Sequence, residues 1–196
     1  MRVIAGRFGG RRLADAPGVG VRPTADRVRE AVFSALGNLE GARVLDLYAG
    51  TGALGIEALS RGASAAVFVE QSPAALAVLR SNLEQLELND RSGPARVIRG
   101  EASAVLRRLS RARERFDLVL LDPPYASDEA PRALEGLLVG ELLAPEAEVV
   151  LEGSRRHPVT PVDGLVLRDQ RRYGDTLITR FGPALPDRAA READDR

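Results

Sequence analysis

The chain has 196 residues, of which 44% are hydrophobic and 29% are charged, and its formal net charge is zero. That length suits one domain with a sizeable core, and that composition excludes global disorder. There are no cysteines and one histidine, so disulfides, thiolate zinc sites and cysteine nucleophiles are excluded, and we expect no metal site. No apolar stretch approaches the roughly 20 residues of a membrane span, which leads us to expect a cytoplasmic protein without membrane contact.

Positive charge is concentrated near the N-terminus. Residues 1–29 contain seven arginines and two aspartates, a local charge of +5 on a neutral chain. Two short segments around the turn-prone RFGG predict a β-hairpin within residues 1–14. Such a hairpin would present arginines to an anionic partner: Arg2, Arg7, Arg11 and Arg12. We therefore predict that residues 1–22 form an arginine-rich β-hairpin extension of the main domain.

Alternating helices and strands make up most of the remaining chain. Helical spacing over TADRVREAVFSALGN predicts a first helix that Thr24 can cap. From residue 43 onward the predicted strands are 43–48, 65–70, 95–99, 116–121 and 147–152, with room for a crossover helix in each gap. Two alternating segments after residue 160 predict a closing antiparallel hairpin.

This pattern predicts an α/β fold that is Rossmann-like, with a mainly parallel seven-stranded sheet. The main domain would cover residues 23–182. The polar, proline-bounded residues 183–196 are expected to form a flexible tail.

Three glycines follow the first strand of the repeat. In VLDLYAGTGALGIEAL, Gly50, Gly52 and Gly55 have the G-x-G-x-x-G spacing at a strand-to-helix turn, where a ligand can approach the backbone closely. The spacing alone is typical of dinucleotide binding. Asp46, however, would repel a pyrophosphate and could face a ligand ammonium. Glu70, which ends the next strand, can accept hydrogen bonds from both hydroxyls of a ribose.

This combination of D-x-x-x-G-x-G and a strand-terminal acid resembles the class I S-adenosylmethionine-dependent methyltransferases. The resemblance implies that the first-strand acid and the glycine turn hold the methionine moiety, that the second-strand acid holds the ribose, and that a third pair brackets the adenine amine. The residues at these places are Asp46, Ala49, Gly50, Thr51 and Gly52, then Glu70 and Gln71, then Glu101 and Ala102. The family more often has aspartate where this chain has Glu101, which could instead cap the following helix.

The stretch LVLLDPPYAS ends the fourth predicted strand with four unusual residues. A purine amine is a poor nucleophile because its lone pair is delocalised into the ring. The Asp122 carboxylate and the Pro123 carbonyl could accept its hydrogens, while Pro124 restricts the turn. Tyr125 offers a face for an extruded base. The tetrapeptide resembles the D/N-P-P-Y/F/W motif of methyltransferases that act on planar amine or amide nitrogens, so we predict that all four residues are catalytic.

The N-terminal sequence indicates which of the possible substrates this chain methylates. RVIAGRFGGRRL, RPTADRVREAVFSAL and RYGDTLITRF resemble the bacterial 16S rRNA methyltransferases that modify the 2-amino group of guanine 966, over residues 1 to about 182. The resemblance implies S-adenosylmethionine as cofactor and 16S rRNA or the assembling small subunit as partner. It also implies that Arg22, Pro23 and Thr24 approach the cofactor. A hairpin with four arginines could bind RNA phosphates beside the active site. We expect the chain to act as a monomer.

The residues alone leave other functions open. DPPY also suits a DNA adenine or protein glutamine methyltransferase, although the glutamine enzymes usually have asparagine at position 122 and a further N-terminal helical domain. The glycine spacing with Glu70 would suit an NAD-dependent dehydrogenase. A degenerate site would suit a non-catalytic RNA-binding protein.

Overall fold

A computed structural model describes residues 1–15, 23–88, 93–124, 128–159 and 162–184, without the side chains of 23–25. Five helices occur in these ranges: α1 (Pro23–Leu36), α2 (Ala53–Ser60), α3 (Pro73–Gln85), α4 (Ala102–Arg111) and α5 (Glu129–Val139). The strands of the same ranges are β1 (Arg43–Leu47), β2 (Ala65–Glu70), β3 (Ala95–Arg99), β4 (Phe116–Leu121), β5 (Leu143–Ser154), β6 (Leu165–Tyr173) and β7 (Thr176–Pro183).

The strands form one seven-stranded sheet in the order β3-β2-β1-β4-β5-β7-β6. Neighbours from β3 to β5 are parallel, whereas β7 is antiparallel to both β5 and β6. Residues 1–15, α1, α2 and α3 bury their apolar side chains on one face of the sheet, which we call the α1–α3 face. Helices α4 and α5 cover the other face. The predicted fold, including the closing antiparallel hairpin, is confirmed.

Three strand boundaries differ from the prediction, two in β5 and one in β1. β5 ends at Ser154 instead of residue 152. β5 begins at Leu143 instead of residue 147, because its register with β4 shifts between Phe116 and Leu118 and lets a polar, proline-containing stretch join the strand. β1 ends at Leu47 instead of residue 48. Tyr48 has a φ of 61°, which is uncommon for a residue other than glycine and turns the chain out of the strand.

The N-terminal segment packs into the core. Val3, Phe8 and Leu13 are buried with side chains of the α1–α3 face. An antiparallel bridge joins Arg2 to Arg12, and backbone hydrogen bonds from Val3 to Arg11 and from Leu13 to Met1 flank it. The predicted hairpin is therefore a short pairing, and burial and pairing together hold this segment.

A buried carboxylate on α2 anchors the same segment. Glu57 is 0% exposed and accepts the backbone N–H groups of Ile4 at 2.7 Å and Ala5 at 3.1 Å. The Nε atom of Arg61 donates to it at 2.7 Å, and the Nε atom of Arg29 lies 4.0 Å away. Since α2 starts directly after the glycine turn, Glu57 connects the N-terminal segment to the element that shapes this turn.

Within the described ranges, no helix is both long enough and apolar enough to cross a membrane. The same ranges contain no group of three or more histidine, cysteine, aspartate and glutamate side chains that could hold a metal ion.

Candidate active site

A pocket of about 340 Å³ lies beyond the carboxyl ends of β1 to β4. This is the edge at which open α/β sheets bind ligands, and the volume suits a small molecule. The pocket is lined by Tyr48, Val69, Glu70, Gln71, Gly100, Glu101, Ala102, Asp122, Pro123, Pro124 and Glu129. Residues expected to hold a cofactor and residues expected to be catalytic therefore border the same cavity.

The glycine turn is held by the buried side chain of Asp46. This side chain is 1% exposed, and its Oδ2 atom accepts the backbone N–H of Gly55 at 2.8 Å. Burial raises the pKa of Asp46 to about 7; the bond from Gly55 opposes this shift and the charge of Glu70 adds to it. Gly50 and Gly52 have φ values of 56° and 86°, a region that glycine enters at little cost. Asp46 thus shapes the turn, while its contact with a ligand ammonium stays a prediction.

Ala49 and Thr51 contribute to the turn through their backbones. Ala49 is buried and its N–H donates to the carbonyl of Val69 at 3.0 Å. The carbonyl of Thr51 accepts a bond from Nδ2 of Asn82 at 3.0 Å. Neither residue is among those that line the described pocket, so their role towards a cofactor stays a prediction.

Replacing Gly55 with alanine should destabilise the protein. A Cβ atom there would lie 2.3 Å from Cε1 of Phe68 and 2.9 Å from Oδ2 of Asp46, and both side chains are buried. We expect the free energy of unfolding, measured by urea denaturation, to fall by about 1–3 kcal/mol. Gly153→Ala is the control, because the nearest atom to its Cβ would be the Leu177 carbonyl oxygen at 3.9 Å. Equal losses in the two variants would contradict the packing argument.

Glu70 ends β2 and binds three backbone donors. Its Oε2 accepts the N–H of Gly50 at 2.9 Å, and its Oε1 accepts those of Gln71 at 2.8 Å and Ser72 at 2.7 Å. A carboxylate has about four acceptor positions, so about one remains for a ligand. Binding both hydroxyls of a ribose, as predicted, would require one of the backbone bonds to be released or shared.

Glu101 and Ala102 lie where β3 leads into α4. The Glu101 side chain makes no capping hydrogen bond to α4; its Oε1 accepts the hydroxyl of Ser103 at 2.7 Å instead. Glu101 is exposed beside the pocket, whereas Ala102 is buried. The Glu101 carboxylate is therefore placed to contact a ligand in the pocket. The alternative prediction, that this side chain caps α4, is wrong.

Asp122 follows β4 and borders the cavity together with Pro123 and Pro124. The Asp122 side chain is exposed where it faces the cavity, while protein packs around its other sides. Desolvation by this surrounding protein, together with the charges of Glu152 and Asp46, raises the pKa of Asp122 to about 8. Once ionised, the carboxylate is therefore a stronger proton acceptor than that of an exposed aspartate.

Glu152 lies beside Asp122 on the neighbouring strand. The parallel register of β4 and β5 pairs Leu121 with Leu151, which places Asp122 and Glu152 one step further along. The residues two positions before Asp122 and before Glu152 bury their side chains on the α1–α3 face. Successive side chains of a strand point to opposite faces of the sheet, so residues two apart share a face. The two carboxyl groups therefore lie on one face at one edge, where the charge of Glu152 disfavours the ionisation of Asp122.

Tyr48 and Glu129 line the pocket but are absent from the sequence predictions. Tyr48 joins β1 to the glycine turn, and its hydroxyl donates to the backbone carbonyl of Glu129 at 3.4 Å. Burial raises the pKa of Tyr48, and the charges of Glu129 and Glu101 add to the shift. Tyr48 thereby links the glycine turn to the start of α5. An aromatic residue two positions before Gly50 is the signal that could have indicated it.

Four residues predicted at the site lie wholly or partly outside what the structure describes. These are Arg22 and Tyr125, and the side chains of Pro23 and Thr24. The backbones of Pro23 and Thr24 belong to the first turn of α1. The functions assigned to all four remain predictions.

The four arginines predicted to bind RNA are exposed: Arg2, Arg7, Arg11 and Arg12. The N–H of Arg7 donates to the carbonyl of Ser60, the last residue of α2, at 2.7 Å. Arg11 donates to the carbonyl of Gln85, the last residue of α3, at 3.3 Å. Both helices begin beside the pocket, and their axes extend for about 12 and 20 Å. Much of this arginine surface therefore lies at the helix ends remote from the cavity.

The fold is shared with a solved structure of an Escherichia coli protein. Its TM-score is 0.79, with 32% sequence identity over 95% of this chain and 99% of that chain. A structure of a hypothetical protein from Thermus thermophilus has a TM-score of 0.77 and 29% identity, over 94% of this chain and 99% of its own. The strand order, the glycine turn and the acid at the end of β2 together define a class I methyltransferase.

The family described as conserved hypothetical protein 95 matches residues 1–182, and the chain belongs to it. Ribosomal RNA small subunit methyltransferase D of Escherichia coli K12 is 34% identical over 87% of this chain and 84% of its own. The protein of the same name from Haemophilus influenzae is also 34% identical, over 87% of this chain and 88% of its own. The family predicted from the sequence is confirmed.

Proposed function

We propose that this chain transfers a methyl group from S-adenosylmethionine to the 2-amino group of guanine 966 in 16S rRNA. The observation that carries the proposal is that Asp122 and Pro123 border the same cavity as Glu70. Acceptors for an amine thus lie beside a carboxylate suited to a ribose. The relatives named as small-subunit rRNA methyltransferases support rRNA as the substrate.

The pocket residues fit S-adenosylmethionine. Gly50 and Gly52 let a ligand approach the backbone of the turn, and Glu70 retains an acceptor for a ribose hydroxyl. Glu101 is exposed at the end of the pocket assigned to the adenine amine. When bound, S-adenosylmethionine supplies the methyl group on a sulfonium, whose C–S bond electrons stay on sulfur as the new N–C bond forms.

The residues after β4 prepare the amine for this transfer. The Asp122 carboxylate accepts one amine hydrogen and the Pro123 carbonyl accepts the other, which draws the nitrogen lone pair out of the purine ring. Two successive prolines fix where that carbonyl points. After transfer, the extra proton on nitrogen passes to Asp122 or to water. Positioning of the two partners supplies much of the remaining acceleration.

The test is methyl transfer to a defined nucleotide. The protein is incubated with labelled S-adenosylmethionine and with small-subunit particles or 16S rRNA lacking the modification. Label on the 2-amino group of guanine 966 is expected. Label at another guanine would overturn the choice of nucleotide; label on DNA adenine or protein glutamine would overturn the substrate class. Binding of NAD without binding of S-adenosylmethionine would overturn the enzyme class.

The rate of methyl transfer should fall as the pH drops through about 8, the raised pKa of Asp122. Only the ionised carboxylate accepts the amine hydrogen without first losing a proton, and the pKa of Asp122 is raised by burial, then by Glu152 and Asp46. Activity is therefore lost as pH falls, at a higher pH than for an exposed aspartate. Glu152→Gln should move this acidic limb to lower pH by about 1 unit.

Single-turnover rates across pH test this expectation. Glu148→Gln is the control, because Glu148 lies on the same strand but pairs with Arg168 and Arg180. An acidic limb that stays in place in Glu152→Gln would show that Glu152 does not act on Asp122.

The chain is proposed to act as a monomer in the cytoplasm, where 16S rRNA is assembled into particles. The family match ends at residue 182, which supports the predicted end of the main domain. Sedimentation of the free protein and of its complex with particles tests the monomer: a dimer in either state would contradict it.

A further inference from the structure

We propose that Arg155, Arg156 and Arg172 bind the rRNA phosphates next to the target guanine. This C-terminal arginine surface lies where β5 ends and where β6 turns into β7. The inference rests on the proposed function, because it takes rRNA as the substrate, and it adds a second RNA contact to the one predicted for the N-terminal arginines.

The topology places this surface on the edge of the sheet that carries the pocket. β5 is parallel to β4, so Arg155 follows β5 at the same edge at which Asp122 follows β4. β7 is antiparallel to β5 and pairs Thr176 with Ser154, which brings the turn between β6 and β7 to that edge. The N–H of Arg155 donates to the carbonyl of Asp175 in this turn at 3.0 Å.

The positive charges of the surface are exposed. All three arginines are accessible to solvent. Within the part of the chain that the structure describes, no carboxylate lies within ion-pair distance of them. Neighbouring arginines are neutralised, since Arg168 and Arg180 pair with Glu148 and Arg171 pairs with Asp169. The three guanidinium groups can therefore bind phosphate without breaking an ion pair in these ranges.

The two halves of the sheet edge that carries the pocket differ in charge. The half at β1 to β3 carries carboxylates at the pocket, including Glu70 and Glu101, which would repel a phosphate backbone. The half at β5 to β6 carries the C-terminal arginine surface. RNA can therefore enter the pocket with its backbone over β5 to β6 and its base directed towards Asp122, while the cofactor occupies the acidic half.

The distances suit nucleotides that flank the target. Strands lie about 4.8 Å apart, so β5, β7 and β6 are roughly 5, 10 and 14 Å from β4. A base at Asp122 has its adjoining phosphates within this span. Arg7 and Arg11, by contrast, lie at the far ends of α2 and α3, where they would meet RNA further from the target. The C-terminal arginine surface is the nearer of the two.

The test is a triple alanine variant of Arg155, Arg156 and Arg172. Its control is the triple alanine variant of Arg107, Arg108 and Arg111, which are exposed on α4. Their replacement removes the same amount of positive charge. Binding to in vitro transcribed 16S rRNA is measured over a range of salt concentrations, and the KM for rRNA and the kcat of methyl transfer are measured separately.

We expect the first triple to raise the KM for rRNA by at least about tenfold, with kcat and S-adenosylmethionine affinity unchanged. The slope of log affinity against log salt should flatten by about 2 units, since each lost single-strand phosphate contact removes about 0.7. The α4 triple should change neither quantity. A lysine triple at 155, 156 and 172 should keep the wild-type slope, because it keeps the charges.

The outcomes separate this inference from the proposed function. If the wild-type protein methylates rRNA and the two alanine triples behave alike, the C-terminal arginine surface is excluded while the proposed function stands. If the wild-type protein transfers no methyl group to rRNA, the proposed function itself fails. Should the alanine triple fail to fold, Arg156→Glu alone provides the same comparison, with Arg108→Glu as its control.

Discussion

Replacing Asp122 with alanine is expected to lower the rate of methyl transfer by at least about a hundredfold, as for other hydrogen-bond partners of a transition state. The carboxylate accepts an amine hydrogen as the nitrogen becomes tetrahedral, so its removal affects the chemical step. S-adenosylmethionine affinity should change little, because Glu70 and Gly50 bind each other rather than Asp122. Single-turnover transfer and calorimetry measure the two effects separately.

Folding should tolerate this substitution. Asp122 lies near Glu152 and Asp46, and removal of one of three acids in a confined place relieves repulsion. Asp163→Ala, which removes an exposed acid, is the control for the loss of one negative charge and should retain full activity. If Asp122→Ala transferred methyl groups at the wild-type rate, a non-catalytic role for the DPPY segment would be the better interpretation.

The sheet and the pocket could be predicted because their signals are local. Apolar runs bounded by helical stretches fix where parallel strands begin and end, and such strands carry their ligands at the carboxyl edge. Residues directly after strands, such as Glu70 and Asp122, are therefore expected at one edge from strand positions alone. The structure indeed places both of them around one cavity.

Contacts between distant segments could not be predicted in this way. The predicted contact of Asp46 with a ligand ammonium followed from its place in the strand, but its bond from the N–H of Gly55 depends on how α2 packs on β1. The charge of the N-terminal arginines was evident, yet the helix ends on which they lie depend on how residues 1–15 pack. Likewise, Arg155 and Arg172 are 17 positions apart and become neighbours only because β6 and β7 fold back along β5.

Replacing Glu57 with alanine should lower the free energy of unfolding by about 3–5 kcal/mol, a large share of the stability of a typical domain. The change would leave the N–H groups of Ile4 and Ala5 and the Nε atom of Arg61 without their acceptor, while Arg29 keeps its ion pair with Asp26. Glu57 is 0% exposed, so water cannot readily replace the carboxylate. Urea denaturation measures the loss.

The control is Glu84→Ala, an exposed glutamate on α3, which should change the free energy of unfolding by less than about 0.5 kcal/mol. Because α2 carries both Glu57 and the end of the glycine turn, Glu57→Ala should also weaken S-adenosylmethionine binding, although Glu57 is not among the pocket residues. A variant with wild-type stability would mean that burial of Val3, Phe8 and Leu13, with the hydrogen bonds to Ser60 and Asn82, holds the N-terminal segment without Glu57. In that case the arginines of this segment would keep their position without the carboxylate, and rRNA binding should also be unchanged.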